Sequence, residues 1–161
     1  MTPFDRDLPA LTGGTVAASD LHGRAVLVVN VASQCGLTPQ YEGLERLQQR
    51  YAEQGFTVLG VPSGQFADQE LSTAEEIHTF CSTTYGTTFP MTEKLEVNGQ
   101  RRHPLYQRLT DVPDADGVAG EIAWNFEKFV VAPTGEITAR FRPTVDPESD
   151  EVIAAIEAVL R

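Results

Sequence analysis

Two cysteines, Cys35 and Cys81, are the residues of this chain best suited to redox chemistry. Cys35 lies in the polar, glycine-containing run of positions 33–38, between a predicted strand and a predicted helix. A helix N-terminus carries unpaired N–H groups and a partial positive charge, and both favour a thiolate over a thiol. A thiolate there is a nucleophile able to attack a peroxide O–O bond. Position alone also allows a buried, unreactive cysteine, so the two interpretations stay open at this point.

The elements that must position Cys35 form a strand-helix-strand unit. Positions 26–31 are an unbroken apolar run, typical of a strand buried on both faces, and positions 56–61 predict a second one. Thr38 and Pro39 predict a helix start, as cap and first helical residue, and Gly55 its end. This order predicts a right-handed crossover and parallel pairing. Cys35 then lies at the carboxyl end of a strand, where sites gather in open α/β sheets.

The rest of the chain continues the α/β pattern without a repeat or linker. Thr73 to Glu76 match a capping box, and one face of the helix that they open carries Ile77, Phe80, Cys81 and Tyr85. The remaining predictions, in chain order, are a short strand at 95–99, a short helix at 103–109, a hairpin of 129–132 with 137–141, and a last helix from Asp146 and Pro147.

Composition limits the classes of function. The chain has 161 residues and is 41% hydrophobic, which predicts one domain, 1–161, with a substantial core. A net charge of −11 disfavours nucleic acid and acidic membrane surfaces as partners. The N-terminus lacks a signal-peptide pattern, so we expect a cytoplasmic location. The three histidines lack ligand spacing and Gly13-Gly14 lacks a phosphate-loop pattern, so we expect no metal, flavin or nucleotide cofactor.

Several motifs together resemble a known family. They run in the order Asn-Val-Ala-Ser-Gln-Cys-Gly-Leu-Thr-Pro-Gln-Tyr (30–41), Gly-Val-Pro-Ser-Gly-Gln-Phe (60–66), Gln-Glu (69–70), Val-Asn-Gly (97–99), His-Pro-Leu-Tyr (103–106) and Trp-Asn-Phe-Glu-Lys-Phe (124–129). This set resembles the glutathione peroxidase family over nearly the whole chain. The resemblance implies a thioredoxin-like α/β fold, with a central mixed sheet flanked by helices. It also implies a peroxidase that reduces hydroperoxides through Cys35.

The resemblance further implies the neighbours of the reactive sulfur. In the family a glutamine, a tryptophan and an asparagine surround the active residue, and the matching positions are Gln69, Trp124 and Asn125. Their N–H donors would stabilise a thiolate and the charge that develops on peroxide oxygens. Lys128 would either add positive potential near the site or be a plain surface lysine.

Cys81 is implied to be a resolving cysteine, although its helical spacing also fits a core residue. In thioredoxin-dependent members a second cysteine has the context Phe-Cys, Tyr-Gly and Phe-Pro, which recurs here at 80–81, 85–86 and 89–90. The expected cycle is a sulfenic acid on Cys35, a Cys35–Cys81 disulfide, and reduction by thioredoxin. Because disulfides need Cα atoms within about 7 Å of each other, a regular helix that places Cys81 away from Cys35 would have to unwind locally.

The chain departs from the family pattern in two places. Ser63 and Gly64 replace a cysteine and an asparagine, which leaves Cys35 and Cys81 as the only thiols. The segment between Leu109 and Ile122 is shorter than in tetrameric, glutathione-using members, and no arginine cluster for glutathione is evident. These features favour a monomer that uses thioredoxin. The alternatives are a glutathione-dependent peroxidase, a redox sensor or relay that uses the same cysteines, and a non-catalytic binding module.

Overall fold

A four-stranded mixed sheet forms the centre of the protein in the computed structural model, which describes residues 2–160. The first half of the chain contains β1 (Leu8–Pro9), β2 (Thr15–Val16), α1 (Ala18–Leu21), β3 (Ala25–Val31), α2 (Gln40–Tyr51) and β4 (Phe56–Pro62). The second half contains α3 (Ala74–Phe80), α4 (Pro104–Leu109), β5 (Lys128–Val131), β6 (Ile137–Phe141) and α5 (Asp150–Val159). A 3₁₀ turn at Ala52–Gln54 extends α2, and a π-helical turn at Cys81–Tyr85 extends α3.

The sheet has the strand order β4-β3-β5-β6. β3 and β4 pair in parallel from Ala25 opposite Phe56 to Val31 opposite Pro62, as the crossover predicts. β5 pairs antiparallel with both β3 and β6. Every residue of β3 and β4 is buried, which explains why both strands read as continuous apolar runs.

Two apolar clusters cover the two faces of the sheet. Successive side chains of a strand point to opposite faces, so β3 supplies Leu27 and Val29 to one cluster and Val26 and Val28 to the other. The first cluster includes buried side chains of α2, α3 and α5 and contains both cysteines. The second includes the buried side chains of α4. No helix within residues 2–160 is both long and apolar enough to cross a membrane.

Three local predictions were wrong or shifted. Residues 95–99 form no strand, and α5 begins at Asp150 rather than at Asp146. Thr38 does not cap α2, whose first helical residue is Gln40. The Thr38 hydroxyl is used by the turn before the helix instead: it accepts a hydrogen bond from the amide of Cys35 (3.0 Å) and donates one to the carbonyl of Ala32 (2.8 Å).

The short segment that leads from α4 to β5 is held by one buried arginine. Arg140 on β6 is 2% exposed and forms an ion pair with Glu127 at 2.6 Å. Its guanidinium also donates to the carbonyls of Val112 (2.9 Å), Gly120 (2.8 Å) and Glu121 (3.1 Å). These bonds fix the conformation of the segment after α4, which has no regular secondary structure and leads to residue 124.

Candidate active site

The Cys35 sulfur lies in a turn between β3 and α2. It accepts a hydrogen bond from the backbone amide of Leu37 at 3.3 Å, and the residue is 9% exposed. An N–H donor aimed at sulfur stabilises a thiolate, because hydrogen bonds to an ionised acceptor are the stronger ones. The Thr38 hydroxyl closes the turn by accepting the hydrogen bond from the amide of Cys35. The cysteine is therefore buried apart from a small exposed fraction, and its sulfur is held by the backbone of its own turn.

A second loop is joined to this turn through Gln69 and Glu70. The amide of Gln34 donates to the carbonyl of Gln69 at 2.9 Å. One carboxylate oxygen of Glu70 accepts from the amide of Ser33 at 3.0 Å and from its hydroxyl at 2.5 Å. Glu70 is 4% exposed, and burial raises the pKa of its carboxyl above the ordinary value. Glu70 belongs to one of the sequence motifs, but the motif does not reveal this structural role.

Unusual backbone conformations bring Gln69 to the cysteine turn. Ala67 and Asp68, the two residues before it, have φ angles of 55° and 53°. Non-glycine residues in this left-handed region cost free energy, and they persist where surrounding contacts fix them. Here the fixing contacts are the bonds of Gln69 and Glu70 to residues 33 and 34.

The third part of the site is the turn at residues 124–127, which Asn30 holds against β3. Its side-chain amide donates to the carbonyl of Trp124 at 3.0 Å and accepts from the amide of Glu127 at 3.1 Å. Its own carbonyl accepts from the amide of Phe126, a residue with a φ of 69°. Asn30 is fully buried. No local sequence pattern reveals this role of Asn30, since its two bonding partners are more than 90 positions away.

Of the three predicted neighbours of Cys35, Gln69 and Asn125 are in contact with each other. The side-chain amide of Asn125 donates to the side-chain oxygen of Gln69 at 3.1 Å, which joins the second and third parts of the site. Asn125 is fully buried, and its own side-chain oxygen has no partner within residues 2–160. Trp124 is half-buried and packs on Phe66, with ring centroids 5.7 Å apart. The apolar cluster against which Trp124 packs includes Cys35.

Lys128 is fully buried, which excludes the second of its two alternatives, a plain surface lysine. Its amino group donates to the carbonyls of Phe126 (2.6 Å) and Pro143 (3.1 Å). Burial lowers the pKa of this amine to about 7, against the opposing effect of the nearby carboxylates of Asp146 and Glu127.

Cys81 belongs to the same apolar cluster as Cys35, and both thiols are free. It is 1% exposed and begins the π-helical turn rather than continuing a regular α-helix. Burial raises the pKa of its thiol from 9.0 to about 11. The Tyr41 hydroxyl beside the sulfur acts in the opposite direction and lowers the pKa of Cys81.

Comparison with known structures first defines the class of fold. A thioredoxin-family thiol:disulfide interchange protein from Chlorobium tepidum superposes with a TM-score of 0.67 at 17% identity, over 95% of this chain and 91% of its own. A crystal structure described as Trgpx in apo form superposes with a TM-score of 0.75 at 36% identity, over 98% of this chain and 96% of its own. The predicted thioredoxin-like fold is thereby confirmed.

Sequence comparisons then define the family. A family model described as glutathione peroxidase matches residues 4–110. A glutathione peroxidase of Lactococcus lactis is 45% identical, over 94% of this chain and 96% of its own. A hydroperoxy fatty acid reductase of Synechocystis is 47% identical (94% and 91%), and a thioredoxin/glutathione peroxidase of Escherichia coli is 43% identical (93% and 92%). The chain belongs to the glutathione peroxidase family and, with it, to the peroxidases.

Proposed function

We propose that the protein is a thiol peroxidase in which Cys35 reduces hydrogen peroxide and organic hydroperoxides. The observation that carries the proposal is the sulfur of Cys35, which accepts an amide N–H in a turn tied to the Gln69–Asn125 pair. The names of the relatives, which include a hydroperoxy fatty acid reductase, support the choice of substrate class.

In the first step the Cys35 thiolate attacks the terminal peroxide oxygen. An S–O bond forms, the O–O bond breaks, and the leaving oxygen takes a proton to depart as water or an alcohol. The sulfur is oxidised to a sulfenic acid. Negative charge moves from sulfur to the leaving oxygen in this step, so fixed N–H donors accelerate it.

Gln69, Trp124 and Asn125 are proposed as those donors. Because Asn125 donates to the Gln69 side-chain oxygen, the amide nitrogen of Gln69 points away from Asn125 and can donate toward the peroxide. The indole N–H of Trp124 is a further donor on a half-buried ring. The three groups would bind the peroxide oxygens beside the sulfur.

In the second step Cys81 resolves the sulfenic acid. Its thiolate attacks the Cys35 sulfur, a disulfide forms, and hydroxide leaves and takes up the proton that the thiol gave up, so that water is released. A thiol with a pKa of about 11 is a poor nucleophile at neutral pH, so the buried conformation must open first. The π-helical turn favours this opening of the Cys81 segment for two reasons. Its hydrogen-bonding pattern is a rare one in proteins, and its residues Ser82, Thr83 and Thr84 are exposed.

In the third step a dithiol protein of the thioredoxin type reduces the disulfide by exchange. A mixed disulfide forms first, and the second thiol of the partner then releases it, so the enzyme gains two electrons. The relative named thioredoxin/glutathione peroxidase makes both reductants candidates. We favour thioredoxin, acting on a monomer, because two cysteines are present and residues 110–122 form only a short segment.

The test is peroxide consumption by the wild type, Cys35→Ser and Cys81→Ser, with thioredoxin and its NADPH-dependent reductase or with glutathione and its reductase. We expect turnover with thioredoxin in the wild type, none in Cys35→Ser, and a single oxidation without turnover in Cys81→Ser. Full turnover by Cys81→Ser with thioredoxin would exclude the resolving role. Undiminished peroxide reduction by Cys35→Ser would exclude the mechanism, and purely stoichiometric oxidation of the wild type would indicate a sensor.

A further inference from the structure

We propose that Lys128 is a positioning residue. Its buried amino group joins the turn that carries Trp124 and Asn125 to the carbonyl of Pro143, which also binds the first residue of helix α2. We call this set of hydrogen bonds the clamp. The inference rests on the proposed function, because it assigns the clamp to the peroxide-reducing site. Lys128 lies at the start of β5, beside Val29 of β3 and Phe141 of β6 in the sheet register.

The clamp joins three segments at one carbonyl. The amino group of Lys128 donates to the carbonyl of Phe126, within the catalytic turn, and to the carbonyl of Pro143, between β6 and α5. The carbonyl of Pro143 also accepts the side-chain amide of Gln40 at 2.9 Å. Gln40 is the first residue of α2, the helix that follows the Cys35 turn. The turn and the helix are thus held to a common point.

A lysine suits this point for a geometric reason. Phe126 has a left-handed φ of 69°, which a non-glycine residue keeps only when its neighbours hold it. Asn30 holds the amide of Phe126, and Lys128 holds its carbonyl, so both backbone groups of the strained residue are bonded. An apolar side chain at position 128 would remove one hydrogen-bond donor from the buried carbonyl of Phe126 and one from the buried carbonyl of Pro143.

The clamp does not depend on the charge of the amine. A neutral amine keeps two N–H groups, one for each carbonyl, and burial brings the pKa of Lys128 to about 7. The charged groups that face it are Glu127 on the same turn and Asp146 on the segment before α5. A positioning role therefore differs from an electrostatic one, in which a positive charge would stabilise the Cys35 thiolate.

The experiment compares Lys128→Met with Val131→Ala, a core substitution at the other end of β5 that serves as the stability control. For Lys128→Met we expect a roughly 10- to 100-fold slower oxidation of Cys35 by hydrogen peroxide in single-turnover measurements. We expect the rate at which iodoacetamide alkylates Cys35, which reports its thiolate, to change by less than about twofold. Lys128→Arg, which keeps donors, should recover part of the oxidation rate.

Trp124 is the only tryptophan, so its fluorescence reports the turn directly. We expect a lower anisotropy and a shifted emission in Lys128→Met and neither change in Val131→Ala. If Lys128→Met does not fold, Gln40→Leu removes the other bond to Pro143 and should give a weaker effect of the same sign. Oxidation and fluorescence equal to those of the control would overturn the proposal, as would a parallel loss of alkylation. A wild type unreactive toward peroxide would refute the proposed function, while the fluorescence comparison would still test the clamp.

Discussion

The two cysteines occupy one apolar cluster, but their immediate surroundings differ in nearly every respect. Cys35 is 9% exposed, and its sulfur accepts a backbone N–H within a turn that the loop of Gln69 and Glu70 holds in place. Cys81 is 1% exposed, its thiol has a raised pKa, and it begins a π-helical turn followed by exposed polar residues. We propose that the first sulfur reacts in the folded state and that the second stays protonated until its own segment opens.

We infer from this difference that a cross-linked site carries the first chemical step and that a separate segment, which must open, carries the second. Residues 33, 34, 69, 70 and 124–128 are cross-linked by buried hydrogen bonds, which suits a site that must stabilise developing charge without moving. The segment after Cys81 has side-chain bonds to its own helix carbonyls instead, from Ser82 to His78 and from Thr83 to Thr79. Such bonds weaken and bend helices, so this segment is suited to unwinding.

The largest difference between the two cysteines should be seen in the rates at which they are alkylated. At pH 7.5 we expect iodoacetamide to modify Cys35 at least roughly 10³-fold faster than Cys81, because the thiolate is the reacting species and burial protects Cys81. Cys81→Ser and Cys35→Ser isolate the two sites for mass spectrometry. In denaturant the two rates should converge, and comparable rates in the native protein would remove the contrast altogether.

Removing a donor should separate the two chemical steps. We expect Asn125→Ala to slow oxidation of Cys35 by roughly 10- to 100-fold, because the Gln69 amide loses the partner that orients it. Formation of the disulfide from the sulfenic acid should keep its rate. Stopped-flow traces resolve the two phases, and Gln49→Ala on the exposed face of α2 is the control. An equal slowing of both phases would show that the site and the segment after Cys81 are not independent.

The buried thiol of Cys81 should be visible in stability above neutral pH. Its pKa is about 11 in the folded state and 9.0 in the reference state, so the folded protein retains the proton longer. The free energy of unfolding should therefore fall as pH rises from 9 to 11, by about 2 kcal/mol more in the wild type than in Cys81→Ser. Urea unfolding at several pH values measures this. Identical pH profiles would mean that Cys81 is already open.

The smallest effect concerns the opening itself. We expect the double substitution of Ser82→Ala and Thr83→Ala to slow disulfide formation by roughly 2- to 5-fold, because alanine favours the helix and the competing side-chain bonds are lost. Oxidation of Cys35 should be unaffected. Ser19→Ala in α1 is a matched control, since it is also an exposed helical serine. Faster disulfide formation in the double variant would contradict the proposed role of these bonds.

The sequence correctly predicted the elements that are determined by residues close together in the chain, namely the two central strands and the start of α3. The two central strands were found within one residue of their ends, because burial on both faces makes them continuous apolar runs. The capping box of α3 is present, with Thr73 and Glu76 each bonded to the other's backbone amide. The start of α5 was misplaced because Asp146 and Pro147 form a turn, in which the amide of Ser149 donates to the carbonyl of Asp146.

The resemblance proposed residues for the site but not the connections between them. The resemblance supplied Gln69 and Asn125, and their hydrogen bond is in the structure. The roles of Asn30 and Glu70 depend on partners far along the chain, which no local pattern reveals. For Lys128 a signal was present: it lies two residues before Val130, whose side chain belongs to the core, so strand periodicity places both on the same face.

The Arg140 guanidinium has a consequence for how the surface of this fold can change. It holds Val112 on one side of a loop and Gly120 and Glu121 on the other, while the tip at 115–117 is exposed. Lengthening a flexible loop costs little free energy. An insertion at this tip would enlarge the loop without altering how the chain enters Trp124. Surface area can thus be gained or lost here while the turn at residues 124–127 keeps its geometry.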